Sequence, residues 1–135
     1  MFIKTINMKI KEVMITTDNF AQVSPSDFFK VALDKMSESK LGIVCIVENK
    51  KLKGIITDGD IRRKLLNVQK PFSALFSDYS IDHAITSPTT CNQNETLISA
   101  VEIMEKKQIW DLPVINDNGD LVGLLHLHAA IKQLL

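Results

Sequence analysis

The residues best suited to chemistry form one polar run, Thr57-Asp58-Gly59-Asp60-Ile61-Arg62-Arg63-Lys64. An apolar stretch precedes the run, so it falls where a strand passes into a helix, and the unpaired N–H groups of a helix start favour an anion. A threonine hydroxyl can bond a phosphate or sugar oxygen, and a carboxylate three residues later can accept hydrogen bonds from both hydroxyls of a ribose. Arginines in the next turn can neutralise phosphate. These are the groups that a nucleotide site needs.

Two other interpretations of the same run remain open. In the structural one, Thr57 or Asp58 caps the helix and Asp60 pairs with Arg63 or Lys64 one turn later. In the enzymatic one, Asp58 and Asp60 hold Mg²⁺ in a small hydrolase. A short motif by itself does not decide among the three.

A second group of candidates is the pair His126 and His128, which would share one face if both lay on a strand. Two ligands are too few for a tight zinc site, and Asp111 or His83 would have to be recruited. We therefore expect no metal. The pair could instead line a second ligand cleft and reach a phosphate or sugar, or simply form a polar strand end.

The remaining reactive or bulky side chains suggest no catalysis. Cys45 lies in an apolar strand and is expected to be a small core residue. Cys91 precedes a helix and has no histidine or aspartate positioned near it in sequence, so neither cysteine indicates a nucleophile. Trp110 is either a core residue or a dimer contact. We expect no catalytic residue in this chain.

Composition narrows the class of protein further. The chain has 135 residues, of which 45% are hydrophobic and 24% charged, and sixteen basic residues balance sixteen acidic ones. This is globular, without the basic excess typical of nucleic-acid binding, a membrane-spanning run or a secretory signal. With only two cysteines, we expect a cytoplasmic protein.

The charge is distributed unevenly along the chain. Residues 1–67 carry twelve Lys/Arg and eight Asp/Glu, whereas residues 68–135 carry four Lys/Arg and eight Asp/Glu. The first half could attract a small anion, although such an imbalance also arises by chance.

The elements that position these residues follow from an internal repeat. At a shift of 68 or 69 residues, the apolar pattern of residues 32–65 recurs in residues 100–134. Each copy reads as a turn with proline, an amphipathic helix, an apolar strand, a polar hairpin turn, a strand with glycine and a short helix. The first long helix is predicted on Phe28, Val31, Ala32, Leu33 and Met36, and the second on Leu97, Val101 and Met104 with Asn94 as N-cap.

The predicted fold is therefore α+β, with two β-α-β-β-α repeats packed as a pseudo-twofold pair. Residues 1–68 hold the first repeat with an N-terminal segment, and residues 69–135 hold a connector and the second repeat. A repeat of about fifty residues buries too little apolar surface to be stable alone. The two are expected to share a core and to create clefts where they meet.

The repeats resemble a tandem pair of cystathionine-β-synthase (CBS) domains, the Bateman module, over most of the chain. The resemblance rests on Gly54-Ile55-Ile56-Thr57-Asp58-Gly59-Asp60, similar to the nucleotide-contacting stretch of that family, and on Gly123-Leu124-Leu125-His126-Leu127-His128 in the second repeat. These runs are similar to the CBS pair of arabinose-5-phosphate-type isomerases. A similar first repeat occurs in CBS pairs fused to sugar nucleotidyltransferases.

The resemblance implies a regulatory module that binds a nucleotide or nucleotide sugar in the inter-repeat cleft and modulates an attached or partner enzyme. It implies a homodimer, and as regulatory ligand an adenine nucleotide or a cytidine sugar nucleotide such as CMP-Kdo. The implied ligand contacts are Thr57, Asp58, Asp60, Arg63, Ile15, Thr16, Val44, His126 and His128. In the second repeat His126 and Ala129 replace Thr57 and Asp60, so we expect one strong site per chain. The alternatives are a purely structural dimerisation module and the regulatory part of a sugar nucleotidyltransferase.

Overall fold

The computed structural model describes residues 7–135 and shows the predicted order of elements twice. The strands and helices are β1 (Ile15–Thr16), β2 (Gln22–Val23), α1 (Phe29–Ser39), β3 (Ile43–Glu48), β4 (Lys51–Thr57), α2 (Asp58–Asn67), β5 (Cys91–Asn92), α3 (Leu97–Lys107), β6 (Asp111–Ile115), β7 (Leu121–His126) and α4 (Leu127–Leu134). From β2 to α2 and again from β5 to α4, the order is β-α-β-β-α. The predicted α+β class and the two repeats are confirmed.

The strands form two sheets of matching design. One has the order β2-β3-β4 and the other the order β1-β7-β6-β5. In each sheet a two-residue strand runs parallel to the first long strand, β2 beside β3 and β5 beside β6. The two long strands of each sheet then pair antiparallel as a hairpin. The repeated pattern in the sequence thus produces the same strand arrangement in both copies.

The chain divides into two compact units, and neither is a continuous half of the sequence. Unit 1 comprises Phe20–Pro88, and unit 2 comprises Thr89–Leu135 together with the chain up to Asn19. The proposed division at residue 68 follows the order of the repeats, whereas these units follow packing. The segment that precedes repeat 1 therefore belongs to the unit built on repeat 2.

This grouping arises because each repeat contributes its leading segment to the other repeat's sheet. In unit 2, β1 pairs antiparallel with β7, with Ile15 opposite Leu124. In unit 1, Ile85 pairs with Ile55 through two backbone hydrogen bonds of 2.9 Å. The run Ile-Thr-Thr at Ile15 matches Ile-Thr-Ser at Ile85, so the two segments are equivalent in sequence as well. The repeat is longer than the apolar pattern alone indicated.

Two glycines allow these leading segments to approach closely. Gly54 and Gly123 occupy equivalent buried positions in β4 and β7. A Cβ at Gly54 would lie 2.8 Å from the carbonyl oxygen of Ile85, and one at Gly123 would lie 2.9 Å from that of Ile15. Both contacts are to backbone, which cannot rotate away as a side chain would. Glycine is required because only a bare Cα leaves room for the neighbouring strand.

The hairpin turns follow the predicted spacing. Asn49 and Lys50, with φ of 52° and 67°, form the two-residue turn between β3 and β4. Two consecutive positive φ angles match the twist of the flanking strands. Counted between the equivalent pairs Val47–Leu52 and Ile115–Leu121, the connection between β6 and β7 has five residues where that between β3 and β4 has four, and this extra residue accounts for the change in shift from 68 to 69. The longer connection contains Gly119 with φ of 81°, and the Asn116 side chain accepts hydrogen bonds from the turn backbone.

The helices need two corrections. Helix α1 begins at Phe29, so Phe28 precedes it instead of lying within it. The buried residues of α1 are Phe29, Ala32 and Met36. Phe28 is 51% exposed and Val31 36% exposed, because the buried stripe runs at helical spacing from Phe29. The prediction that Phe28 and Val31 form part of the apolar core face was wrong.

The N-cap of α3 is Thr96, and the prediction of Asn94 was wrong. The Thr96 hydroxyl accepts a hydrogen bond from the backbone N–H of Ser99 at 3.2 Å. Asn94 instead donates its backbone N–H to the side chain of Asn92 within the preceding turn. The cap is set by which residue adopts extended backbone directly before the first helical turn, and here that is Thr96.

Each unit buries its own apolar cluster. The cluster of unit 1 is centred on α1, β3 and β4, and the connector contributes Leu75 to it. Phe72 of the connector packs edge-to-face on Phe29 with ring centroids 5.8 Å apart. The cluster of unit 2 includes Ile10 from the leading segment beside residues of α3, β6 and β7. The segments outside the repeated pattern are therefore part of the core.

We predict that Gly54→Ala and Gly123→Ala each lower the free energy of unfolding by about 1–3 kcal/mol, the usual cost of overpacking. The added methyl group would meet the backbone of the exchanged segment at less than van der Waals distance. The measurement is urea denaturation of the whole chain followed by circular dichroism.

Gly59→Ala is the matched control, because its Cβ would meet the flexible end of Arg63 at 3.3 Å and the Thr57 hydroxyl at an ordinary contact distance of 3.7 Å, and no backbone. Alanine also favours a helix over glycine by about 1 kcal/mol. This variant should be at least as stable as the wild type. Equal stability of all three variants would show that the close approach of the leading segments imposes no constraint.

Candidate functional site

The polar run lies at the junction of β4 and α2, as predicted. Thr57 ends β4, and its extended backbone makes it the N-cap of α2. The N–H of Asp58 donates to the carbonyl of Gly42 at 3.0 Å, which ties the helix start to the residue before β3. The junction is therefore held by the sheet of unit 1, and its side chains start from a fixed backbone.

Thr57 and Asp60 form a reciprocal capping box. The Thr57 hydroxyl accepts from the Asp60 N–H at 3.3 Å, and the Thr57 N–H donates to Asp60 Oδ2 at 3.0 Å. The same hydroxyl donates to Oδ2 at 2.8 Å. The structural interpretation of the run is thus confirmed: Thr57 caps the helix and uses Asp60 to do so. Binding of a ligand by these residues would have to share or replace these bonds.

Arg63 completes the cluster on the other carboxylate oxygen. Its Nη2 donates to Asp60 Oδ1 at 2.6 Å. The Arg63 side chain is 61% exposed and that of Asp60 only 11%. The cap and the guanidinium cover Asp60. The hydroxyl of Thr57, the carboxylate of Asp60 and the guanidinium of Arg63 therefore meet at the start of α2.

Asp58 takes no part in this cluster. Its carboxylate lies beside Gly42, where a Cβ would come within 2.6 Å of Oδ2. Asp58 and Asp60 thus contact different partners, which does not favour a shared Mg²⁺ ion. Within residues 7–135, no three or more His, Cys, Asp or Glu side chains are grouped as a metal site requires.

The other residues implied to contact a base lie in different places. The Val44 side chain is fully buried in the apolar cluster of unit 1, so Val44 is a core residue of its strand. Ile15 and Thr16 form β1 in unit 2, paired with β7. Unit 1 by itself therefore brings together Thr57, Asp60 and Arg63.

Unit 2 has a different group at the equivalent junction. His126 ends β7 and is the N-cap of α4, but its side chain makes no capping hydrogen bond. Its Nδ1 lies 2.8 Å from Asp111 Oδ1, and the two residues are opposite each other across β6 and β7. Ala129 stands where Asp60 stands in unit 1. The second junction therefore has a histidine–aspartate pair and lacks the helix-start carboxylate.

The expectation that His126 and His128 share a strand face was wrong. The strand ends at His126, and His128 lies exposed in the first turn of α4. Helical backbone from Leu127 onward breaks the period-two alternation on which the prediction depended. The pairing of His126 with Asp111 was not predicted, because it requires the register of β6 against β7.

Both cysteines are buried, and their surroundings do not favour a nucleophile. Cys45 is fully buried in β3, as predicted. Burial raises the pKa of the Cys91 thiol to about 12, with a smaller contribution from the charge of Glu95. The reactive thiolate is therefore scarce at neutral pH.

Trp110 is 69% exposed, so it is not a core residue of the folded chain.

The family follows from both fold and sequence. The model of the CBS domain family matches residues 10–67 and 77–135. The chain belongs to the CBS domain family and contains two copies of the domain, a CBS pair. Both matches begin before the apolar repeat pattern and include the leading segments that the repeats exchange. In residues 7–135 none of the helices is both long and apolar enough to span a membrane.

Among curated proteins, the chain is similar to the CBS region of arabinose-5-phosphate isomerases. It is 37% identical over 117 residues to the probable arabinose 5-phosphate isomerase of Haemophilus influenzae, covering 87% of this chain and 33% of that protein. It is 29% identical to the arabinose 5-phosphate isomerase KdsD of Francisella tularensis, covering 93% and 37%. The chain thus spans about a third of the length of these relatives.

Solved structures confirm the fold. A CBS domain-containing protein from Bacillus anthracis superposes with a TM-score of 0.85 at 19% identity, covering 97% of this chain and 95% of that one. The crystal structure of CBSX2 in complex with AMP superposes with a TM-score of 0.80 at 22% identity, covering 93% and 94%. At such identities the likeness establishes the CBS-pair architecture.

We predict that Thr57→Val lowers the free energy of unfolding by about 1–2 kcal/mol, because valine keeps the shape but removes the cap. The Asp60 N–H would lose its acceptor, and Asp60 Oδ2 would lose one donor. Thr57→Ser keeps the hydroxyl and should remain within about 0.5 kcal/mol of the wild type. Urea denaturation measures both variants, and equal losses would show that the hydroxyl does not cap the helix.

Proposed function

We propose that this CBS pair is a regulatory module that binds a nucleotide or nucleotide sugar at the junction of β4 and α2. The observation that carries the proposal is the convergence of Thr57, Asp60 and Arg63 on one helical turn. A carboxylate accepts hydrogen bonds from a ribose diol, a hydroxyl bonds a phosphate oxygen, and a guanidinium binds phosphate. The chain's own contacts already place these three groups beside one another.

The CBSX2 structure supports the class of ligand, since that protein of the same architecture was crystallised with AMP. A second ligand class, which the resemblance to the CBS pair of the isomerases implies, is a cytidine sugar nucleotide. In both classes a ribose carries a phosphate at its 5′ position, and this shared part is what Asp60 and Arg63 would recognise. The base or the attached sugar would be selected by residues outside this turn.

The regulated activity would be that of a sugar-phosphate isomerase, either attached to this chain or acting as its partner. The support is the similarity to the CBS region of two such isomerases. The buried thiols and the engaged carboxylates favour a regulatory role over catalysis by this chain. Binding shifts a conformational equilibrium only by the difference in affinity for the two states.

The two junctions of the chain should differ in affinity. In unit 2 His126, Ala129 and Lys132 stand where Thr57, Asp60 and Arg63 stand in unit 1. Alanine offers no acceptor to a ribose, so a site of the same kind is weakened there. We expect about one nucleotide per chain at moderate ligand concentration.

The test is isothermal titration with AMP, ATP, CMP, CMP-Kdo and S-adenosylmethionine. Asp60→Ala should weaken binding of the nucleotide that binds best by about 10–150-fold, equivalent to the roughly 1.5–3 kcal/mol of hydrogen bonds to a charged group. Because Asp60 also caps α2, the titration is run well below the melting temperature, and folding is checked by circular dichroism.

Asp34→Ala is the matched control, because it removes one carboxylate from an exposed pair on α1 of the same unit. It should leave affinity within about twofold, since surface ion pairs contribute little. A folded Asp60→Ala variant with wild-type affinity, or saturation at two equivalent nucleotides per chain, would contradict the proposed site.

A second candidate function, dimerisation without a ligand, is favoured by exposed apolar side chains on α2. Leu65 is 57% and Leu66 80% exposed, and α2 has no fully buried residue. Such a helix gains stability when another surface covers it. A homodimer is compatible with the regulatory role as well, so ligand dependence separates the two functions.

We predict that the double variant Leu65→Ser/Leu66→Ser raises the dimer dissociation constant at least about tenfold, equivalent to roughly 1.4 kcal/mol. Analytical ultracentrifugation measures it with and without AMP or CMP. Phe28→Ser, which removes an exposed apolar side chain next to α1, should change it little. A dimer that forms normally in the double variant would show that α2 is not its interface.

A further inference from the structure

Arg63 occupies an unusual position for a cation. Its guanidinium lies over the first turn of α2, where a Cβ on Gly59 would be 3.3 Å from Nη1 and 3.5 Å from Nη2. The start of a helix carries partial positive charge, so a cation is disfavoured there. The side chain is held in place by its 2.6 Å bond to Asp60 Oδ1. The guanidinium thus covers the part of the helix where an anion would bind.

Both oxygens of Asp60 accept hydrogen bonds in this arrangement. Oδ2 accepts from the N–H and hydroxyl of Thr57, and Oδ1 accepts from Arg63. The Thr57 bonds belong to the helix cap, whereas the Arg63 bond is made by a flexible side chain that is 61% exposed. Arg63 is therefore the partner that can leave at least cost, and Oδ1 is the oxygen that its departure frees.

We infer that Arg63 is a latch that makes ligand recognition by Asp60 depend on a phosphate. This inference rests on the proposed function. The Asp60 side chain is only 11% exposed beneath the cap and the guanidinium, so a ribose diol needs the guanidinium to move aside before it can reach Oδ1, and breaking that ion pair costs free energy. A nucleotide recovers the cost because the released guanidinium binds its phosphate. A nucleoside has no phosphate for Arg63 to bind, so the free energy spent in breaking the ion pair is not recovered.

The latch predicts opposite effects of one substitution on two ligands. In Arg63→Ala, Oδ1 is free from the start, so a nucleoside should bind about two- to fivefold tighter, the worth of a partly exposed ion pair. The nucleotide loses its phosphate partner and should bind about tenfold weaker or worse. An arginine that only contacts phosphate would leave nucleoside binding unchanged, and one that only supports the fold would weaken both ligands.

Unit 2 has no equivalent of this latch. Lys132 stands at the position of Arg63, but Ala129 provides no carboxylate to hold it. Phosphate dependence of the kind inferred here therefore belongs to the junction in unit 1.

The experiment compares adenosine with AMP, and cytidine with CMP, by isothermal titration of the whole chain. The variants are wild type, Arg63→Ala, Arg63→Lys and the control Lys53→Ala. Lys53 is exposed on β4 of the same unit and lies outside the polar run, so Lys53→Ala corrects for net charge and should leave the nucleotide-to-nucleoside ratio within about twofold. Arg63→Lys keeps the charge without the planar fork and should restore only part of the ratio.

The expected result is a wild-type preference for nucleotide over nucleoside that collapses in Arg63→Ala, with nucleoside binding becoming tighter. If Arg63→Ala weakens both ligands by the same factor, or leaves nucleoside affinity unchanged, the latch is overturned while the proposed function stands. If the wild type binds none of AMP, ATP, CMP and CMP-Kdo in the same titration, the proposed function itself is overturned, and the latch with it.

Discussion

The reciprocal exchange of leading segments is the constraint on which the rest of the structure depends. Each repeat's long hairpin pairs with a segment that precedes the other repeat: β7 pairs with the strand β1, and Ile55 of β4 pairs with Ile85 in a single bridge. Neither sheet can be completed by its own repeat, so the two must fold together. Gly54 and Gly123 are the residues that permit this pairing, because any side chain there would meet the backbone of the incoming segment. A repeat of about fifty residues gains in this way a core that it could not build alone.

The same hairpins fix the position of the candidate site. Thr57 follows the buried part of β4 directly, and the bond from Asp58 to Gly42 joins the start of α2 to the neighbouring strand. The helix start is therefore rigid before any ligand arrives, which lowers the entropy cost of binding. The polar groups of this start are already satisfied by one another, with Asp60 shared between the cap and Arg63. Capping and the proposed ligand recognition would draw on the same atoms, so the two roles would be coupled.

The two junctions show how a duplicated scaffold can keep its architecture while its chemistry diverges. The backbone bond from Asp58 to Gly42 in unit 1 has its counterpart in the bond from Leu127 to the carbonyl of Trp110 in unit 2. The backbone is the same at both junctions, but the side chains of the first helical turn differ between α2 and α4. They can differ because the packing of the strands does not depend on them. His126 is held by Asp111 across the hairpin, not by a residue of its own helix.

The sequence by itself determined the two repeats, their order of elements, the extra residue in the second hairpin turn and the place of the polar run at a strand–helix junction. These features depend on local periodicity and turn chemistry, which short stretches of sequence encode. The sequence also left three interpretations of the polar run open: ligand binding, helix capping and metal binding. Only the tertiary structure decided which sheet each leading segment joins, that Asp111 meets His126, and that Arg63 closes over Gly59 onto Asp60. The first two contacts depend on strand register, which brings together residues that are distant in sequence. The third depends on side-chain direction, because Arg63 and Lys64 both lie about one turn from Asp60 and only one of them can take that position.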